Sequence, residues 1–153
     1  MDVIALMLTE FFVTFKIIQM DLEFLLNAYS RDILKHDQAL SYDSTYGSVL
    51  DLNDGEIKCH IEPVENHIYF YAPIFEIPTR GREEFFKSLL LNQLFGKLTG
   101  QSYFGLDEKN NHVLLFKVLE GENMTQNAFN GYLNSFIEAC LLWKAALRET
   151  HSS

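Results

Sequence analysis

Residues 89–100 read LLLNQLFGKLTG, and they are followed by FGLD at 104–107 and HVLLF at 112–116. The pattern predicts an apolar helix that ends at glycine and continues into a two-stranded hairpin. Apolar side chains recur at helical spacing around more of this helix than one core-facing stripe requires. They are Phe85, Phe86, Leu89, Leu90, Leu91, Leu94 and Leu98. A second surface must cover the surplus, and it is a neighbouring sheet, a second subunit or a client chain.

Size and charge narrow the class of protein. A chain of 153 residues suffices for one domain that buries about 70% of its unfolded surface. Its 21 acidic and 12 basic residues give a formal net charge of -9, which disfavours nucleic acid and anionic membranes as partners. Cys59 and Cys140 fall in a strand-like run and on the apolar face of a helix-like run. We interpret them as small hydrophobic residues of a protein in a reducing cytoplasm.

The first nineteen residues form an almost unbroken apolar run before Met20. Membrane insertion is not expected, because Asp2, Glu10 and Lys16 interrupt the run and a charge near the bilayer centre costs about 2.5 to 3.5 kcal/mol. A secretory signal is not expected either, since the run lacks a basic start and a small-residue cleavage pattern. We expect residues 1–19 to be an extension that is not native, with Met20 as the natural start, and residues 20–150 to form a single domain.

Hydrophobic periodicity predicts three helices and five strands. The first helix is expected from Asp21 to Lys35, the second from an N-cap at Thr79 to about Leu98, and the last after a cap at Thr125. The expected strands cover residues 49–52, 56–62, 67–77, 102–106 and 112–119. The order α-β-β-β-α-β-β-α, with strands in runs joined by short turns, indicates an α+β fold: a two-layer sandwich with a mainly antiparallel, twisted sheet.

One proline bears on the sheet. Pro73 falls inside the long third strand, where it cannot donate a hydrogen bond to a neighbouring strand. We therefore expect it on a sheet edge or at a bulge.

The side-chain patterns of enzymes and metal proteins are not found. The five histidines are scattered, and the adjacent Cys59 and His60 would point to opposite faces of a strand. The run GKLTG at 96–100 lacks the glycine-rich loop and the Ser or Thr after Lys that bind phosphate. No serine lies in a nucleophile elbow. The sequence predicts no catalytic residue, no cofactor and no metal, so we do not expect an enzyme.

Four stretches carry a family resemblance. Residues 91–100 (LNQLFGKLTG), followed by FGLD at 104–107 and VLLF at 113–116, resemble the centre of the class I type III secretion chaperones. In that family an N-x-L-F-G-x-L-T-G-like helix end precedes a G-L-D hairpin. Residues 136–147 (FIEACLLWKAAL) look like the family's closing helix, which often carries a tryptophan followed by a basic residue. The similarity extends over about residues 21–147, and the family has the same order of helices and strands.

The resemblance implies function as well as fold. It implies a homodimer in the bacterial cytoplasm that binds the N-terminal segment of a secreted effector and keeps it unfolded until it reaches the export ATPase. The expected dimer interface lies on the second helix and the following strand, at Leu90, Leu94, Phe95, Leu98 and Phe104. The expected cargo-binding residues lie on the first helix: Leu22, Leu25, Leu26, Tyr29 and Ile33.

Two other functions stay open. One is a regulatory adaptor of the same fold that binds a transcription or export component. The other is a small enzyme whose site the sequence does not reveal.

Overall fold

The computed structural model describes residues 3–36 and 40–151, and the side chains of residues 11–21 lie outside this description. The elements follow the order α-β-β-β-α-β-β-α, which confirms the predicted α+β class. The helices are α1 (Val3–Asp32), α2 (Arg82–Gln93) and α3 (Gln126–His151), and a 3₁₀ turn covers Leu94–Gly96. The strands are β1 (Ser48–Leu52), β2 (Ile57–Val64), β3 (His67–Glu76), β4 (Tyr103–Asp107) and β5 (His112–Glu120).

The five strands form one antiparallel sheet in the order β1-β2-β3-β5-β4, so β1 and β4 are its edges. The alternation that predicted β2 is observed, with Ile57, Cys59 and Ile61 buried and Lys58 exposed. Pro73 lies in the central strand β3, where the register against β5 shifts between Pro73 and Phe75. The proline therefore sits at an irregularity in the ladder, in agreement with the expected bulge.

The hydrophobic core lies between one face of the sheet and the helices α1 and α3. Phe70 on β3 is at its centre, with ring centroids 5.8 Å from Phe129 and 5.7 Å from Phe136 of α3. Tyr29 of α1 packs edge-on against Phe129 at 6.4 Å, and its hydroxyl donates a hydrogen bond to Asn134 Oδ1 at 2.7 Å. Aromatic packing with a satisfied polar end thus joins α1, α3 and β3.

The helix α1 is longer than its amphipathic part. It begins at Val3 instead of Asp21 and ends at Asp32 instead of Lys35. No glycine or proline interrupts residues 3–32, so backbone propensity allows one continuous helix where amphipathic periodicity marked only its second half. Among the described residues, no helix combines the length and the apolarity that crossing a bilayer requires.

The bounds of α2 also differ from the prediction. Its N-cap is Gly81 in a left-handed conformation, not Thr79, and no side chain caps it. The helix ends at Gln93 instead of Leu98, because Leu94 leaves the helical region at ψ 123° and Phe95 adopts φ 63°. Apolar periodicity continued past this point in sequence, but the backbone reverses there.

Two glycines with positive φ provide a matched test of the loop before β1. Gly47 (φ 70°) lies where an added Cβ would stand 1.8 Å from the carbonyl oxygen of Ile61, whereas at Gly81 (φ 66°) nothing lies within 4 Å. We expect Gly81→Ala to lower the free energy of unfolding by about 1–2 kcal/mol from backbone strain alone. Gly47→Ala should cost about 2 kcal/mol more, because β1 must also move away from β2. Urea unfolding curves of the two variants measure the difference, and equal midpoints would contradict the close approach.

Candidate functional site

An exposed apolar patch lies at the end of α2, and we call it the α2 patch. It consists of Leu90, Leu91, Leu94, Phe95 and Leu98, each of which is 58–92% exposed. The inward face of α2 is formed by Phe85 and Leu89, which are buried. Neighbouring exposed apolar residues of this kind mark a surface that binds another molecule. The predicted surplus of apolar side chains is therefore present, and within the subunit it stays uncovered.

The backbone of the patch follows an unusual path. Phe95 and Gly96 have φ values of 63° and 64°, and Gln101 has a φ of 60°. An added Cβ on Gly96 would stand 2.9 Å from Gln101 Cα, so only glycine fits without a shift. The N–H of Gln101 donates to the carbonyl oxygen of Gly96 at 2.8 Å and closes the loop. Gly96, which lies inside the helix predicted to run to about Leu98, thus permits a tight reversal of the backbone.

Side chains from three other elements hold this loop in place. Gln93 Oε1 at the end of α2 accepts a hydrogen bond from the N–H of Phe104 at 2.9 Å. Trp143 Nε1 of α3 donates to the carbonyl oxygen of Leu98 at 3.1 Å. Lys117 Nζ of β5 donates to the carbonyl oxygen of Gly100 at 3.1 Å. The loop that presents the patch is therefore a preorganised surface, which lowers the ordering cost of binding.

Phe95 carries the clearest sign of a binding role. Its left-handed backbone costs about 1–3 kcal/mol in a residue other than glycine, and its ring is 92% exposed. A strained residue that holds a large apolar ring in water contributes nothing to the core of its own subunit. We interpret the strain as the cost of presenting this ring to a partner.

The sheet face opposite α1 and α3, here called the outer face, is rich in aromatic side chains. Its half-buried or exposed members include His60, Tyr69, Tyr71, Tyr103 and Phe116. The ring of His60 stacks on Tyr71 with centroids 4.7 Å apart, and the Tyr71 hydroxyl donates to Glu62. Burial, with the bond to Glu62, raises the pKa of Tyr71. The outer face therefore combines apolar rings with fixed polar groups, as peptide-binding surfaces do.

Four of the five residues predicted to bind cargo are buried within the subunit. Leu22, Leu25, Leu26 and Tyr29 are at most 5% exposed and pack in the core, so they do not form an accessible surface of the described subunit. The apolar stripe of α1 faces the sheet and α3, as the apolar face of an amphipathic helix usually faces the core. Ile33, directly after α1, is exposed.

Phe104 and Phe24 differ in exposure from what the sequence led us to expect. Phe104 of the expected dimer interface is only partly exposed, and its ring packs edge-on against Trp143 with centroids 4.9 Å apart. Phe24 of α1 is exposed and was not predicted. Its position between core residues of the same helix, one residue before Leu25, could have identified it as facing outward.

The two cysteine thiols are buried, and burial disfavours their ionised form. Burial raises the pKa of the Cys140 thiol to about 12 and that of Cys59 well above its usual range. Both thiols are therefore protonated near neutral pH. Within residues 3–36 and 40–151, no three His, Cys, Asp or Glu side chains are grouped so that they could hold a metal ion.

Comparisons with known proteins agree with this geometry. The family model of the Tir chaperone protein (CesT) family matches residues 37–144. No protein in a search of curated sequences matches the chain.

Solved structures share the fold. A chain in the crystal structure of the ExsC-ExsE complex aligns with a TM-score of 0.67 and 18% identity, covering 83% of this chain and 93% of that one. A chain in the HopA1-SchA chaperone-effector complex aligns at 0.65 and 18%, covering 86% and 95%. A chain in the structure of the Yersinia pestis type III secretion chaperone SycH with a stable fragment of YscM2 aligns at 0.58 and 17%, covering 80% and 98%. At these identities the likeness shows the fold alone.

Proposed function

The chain belongs to the Tir chaperone protein (CesT) family, and from that premise we propose that it binds the N-terminal segment of a type III secretion effector and keeps it unfolded and secretion-competent. The observation that carries the proposal is the aromatic outer face of the sheet, where Tyr69, Tyr71, Tyr103 and Phe116 are half-buried or exposed within the subunit. A chaperone for an extended polypeptide needs exposed apolar surface. The net charge of -9 opposes non-specific aggregation through such surface.

The proposal assigns the α2 patch to a homodimer. A two-fold interface buries the same patch of both subunits, so a continuous apolar stripe along one helix end is suited to it. Leu90, Leu94, Phe95 and Leu98 would form the centre of this interface, and the partly buried Phe104 would support it from below.

The proposal assigns the client to the outer face. Extended segments bind by adding a strand to a sheet edge and by placing alternate side chains in apolar sites. The outer face offers the rings of Tyr69, Tyr71 and Phe116 for the second part. Phe24 of α1 and Ile33 directly after it lie on the helix side of the subunit, so a client that also contacts them would pass around an edge of the sheet. The complex would act in the bacterial cytoplasm and deliver the client to the export ATPase.

The proposed client binding is tested with a candidate client chosen from the gene neighbourhood. The N-terminal segment of a large protein encoded next to this chain is co-expressed with it and recovered by affinity purification. We expect a complex in which the segment lacks circular-dichroism signals of folding, and no complex with the same protein after removal of that segment. Recovery of only a transcription or basal-body component would instead support the regulatory adaptor.

A matched tyrosine pair tests the outer face. Tyr71 lies on it, whereas Tyr46 is exposed in the turn before β1. We expect Tyr71→Ser to weaken client binding about tenfold or more, as loss of a central aromatic contact does, and Tyr46→Ser to leave it unchanged. Calorimetric titration measures both, and equal affinities would place the client elsewhere.

A substitution at Phe95 separates binding from folding. Asparagine tolerates the left-handed conformation, so Phe95→Asn should raise the free energy of unfolding of the subunit by about 1 kcal/mol. The same change should weaken the dimer, because the exposed ring is lost. Urea unfolding at low protein concentration and sedimentation at high concentration report the two effects. Phe24→Asn is the control and should leave the dimer intact; a stable Phe95→Asn dimer would contradict the assignment.

A further inference from the structure

A groove of about 720 Å³ runs between β5, the loop of residues 95–101 and the N-terminal half of α3. This volume falls in the range of about 300–1,000 Å³ that is typical of ligand sites. Its apolar and aromatic walls are formed by Phe95, Tyr103, Val118, Leu119, Met124 and Tyr132.

One side of the groove is a strand edge that, within residues 3–36 and 40–151, pairs with no other strand. β3 pairs with β5 along its whole length to Glu120. β4 pairs only with residues 112–116, from Tyr103 opposite Phe116 to Asp107 opposite His112. Residues 117–120 of β5 therefore have a strand partner on one side alone, and such an edge is a template for an added strand.

A buried lysine side chain lies in the same groove. Lys117 is 7% exposed and lines the groove. Its ammonium donates to the carbonyl oxygen of Gly100 at 3.1 Å and lies 5.3 Å from the centroid of the Tyr132 ring. Neither contact supplies a negative charge. In the part of the chain that the structure describes, the salt bridges are Arg31–Asp32 and Arg148–Glu56, and neither includes Lys117.

Burial disfavours the charged form of this side chain. Desolvation lowers the pKa of Lys117, and no carboxylate contributes in the opposite direction. A buried charge is usually paired, because an unpaired one is costly. A carboxylate brought by a ligand would therefore gain more here than at an exposed lysine.

We propose that the groove binds an extended segment of the client as an added strand on β5, with an Asp or Glu side chain of that segment paired to Lys117. This rests on the proposed function and specifies the kind of client sequence it accepts. Residues opposite each other in an added strand share a face of the sheet, so the acidic residue lies opposite Lys117. Glu120 and Glu122 line the groove as well, so the segment carries no second acidic residue at that end.

The test compares two capped peptides, Thr-Val-Glu-Val-Thr and Thr-Val-Gln-Val-Thr, which differ in one charge. Trp143 is the single tryptophan of the chain, and its indole bonds to the loop beside the groove, so its fluorescence reports binding. We expect the Glu peptide to bind about tenfold more tightly than the Gln peptide. Lys117→Met should abolish that preference, whereas Lys97→Met, at an exposed lysine of the same loop, should retain it.

Lys117→Arg keeps the charge and should keep the preference, which provides a second variant if Lys117→Met does not fold. Equal binding of the two peptides to the unaltered protein would overturn the inference, and so would the absence of binding at about 1 mM. Weaker binding of the Glu peptide as the protein dimerises would also overturn it, because the groove would then belong to a second copy.

The outcomes separate this inference from the proposed function. If an effector segment binds the unaltered protein and Lys117→Met equally, the acidic anchor is wrong and the chaperone function stands. If the Glu peptide binds with the expected preference but no effector segment binds, the result supports an acidic-peptide site at Lys117 and contradicts the chaperone function.

Discussion

Leu94→Asp is expected to turn the proposed dimer into a soluble monomer with an unchanged fold. In the subunit Leu94 is 58% exposed, so an aspartate there stays hydrated and folding is barely affected. In the proposed dimer the same position is buried, and burying an unpaired carboxylate costs several kcal/mol. The two-fold axis doubles the cost, because each subunit contributes one carboxylate.

Light scattering coupled to size exclusion measures the mass of each species. Val49→Asp is the matched control, since Val49 is similarly exposed but lies on β1, at the sheet edge opposite β4. The control should remain dimeric. A dimeric Leu94→Asp, or a monomeric Val49→Asp, would show that the interface lies elsewhere.

Phe70→Ala is expected to cause the largest loss of stability. Phe70 is fully buried, and its ring packs against two rings of α3 at 5.7 and 5.8 Å. Removing a buried phenylalanine ring typically costs about 3–5 kcal/mol, because it loses transfer free energy and leaves a cavity. For a chain of this size each kcal/mol lowers the Tm by about 2–4 °C.

Phe24→Ala is the control for this loss. Phe24 is 70% exposed on α1, so its truncation should change the free energy of unfolding by about 0.5 kcal/mol or less. Thermal unfolding of both variants is compared at one protein concentration, since dimerisation makes the Tm depend on concentration. Similar losses at the two sites would mean that α1 and the sheet pack differently from the description above.

The residue pattern alone correctly predicted the order of the elements and the antiparallel class of the sheet. It did so because alternation in β2 and turn residues between strands are local properties of the backbone. It also identified the surplus of apolar residues around α2, since periodicity counts the side chains on each face of a helix. Four of the five residues expected at the dimer interface are accordingly exposed, namely Leu90, Leu94, Phe95 and Leu98.

Which faces of the helices and strands are covered depends on how these elements pack against each other. The stripe of α1 that looked suited to cargo, from Leu22 to Tyr29, is the side that packs on the sheet and α3. The left-handed backbone of Phe95 depends on a reversal held by Trp143 and Lys117, which are distant in sequence. Residues 117–120 of β5 form a free edge because β4 begins only at Tyr103, which pairs with Phe116. Periodicity tells which residues share a face of one element, but whether that face meets another element is a property of how the elements pack together.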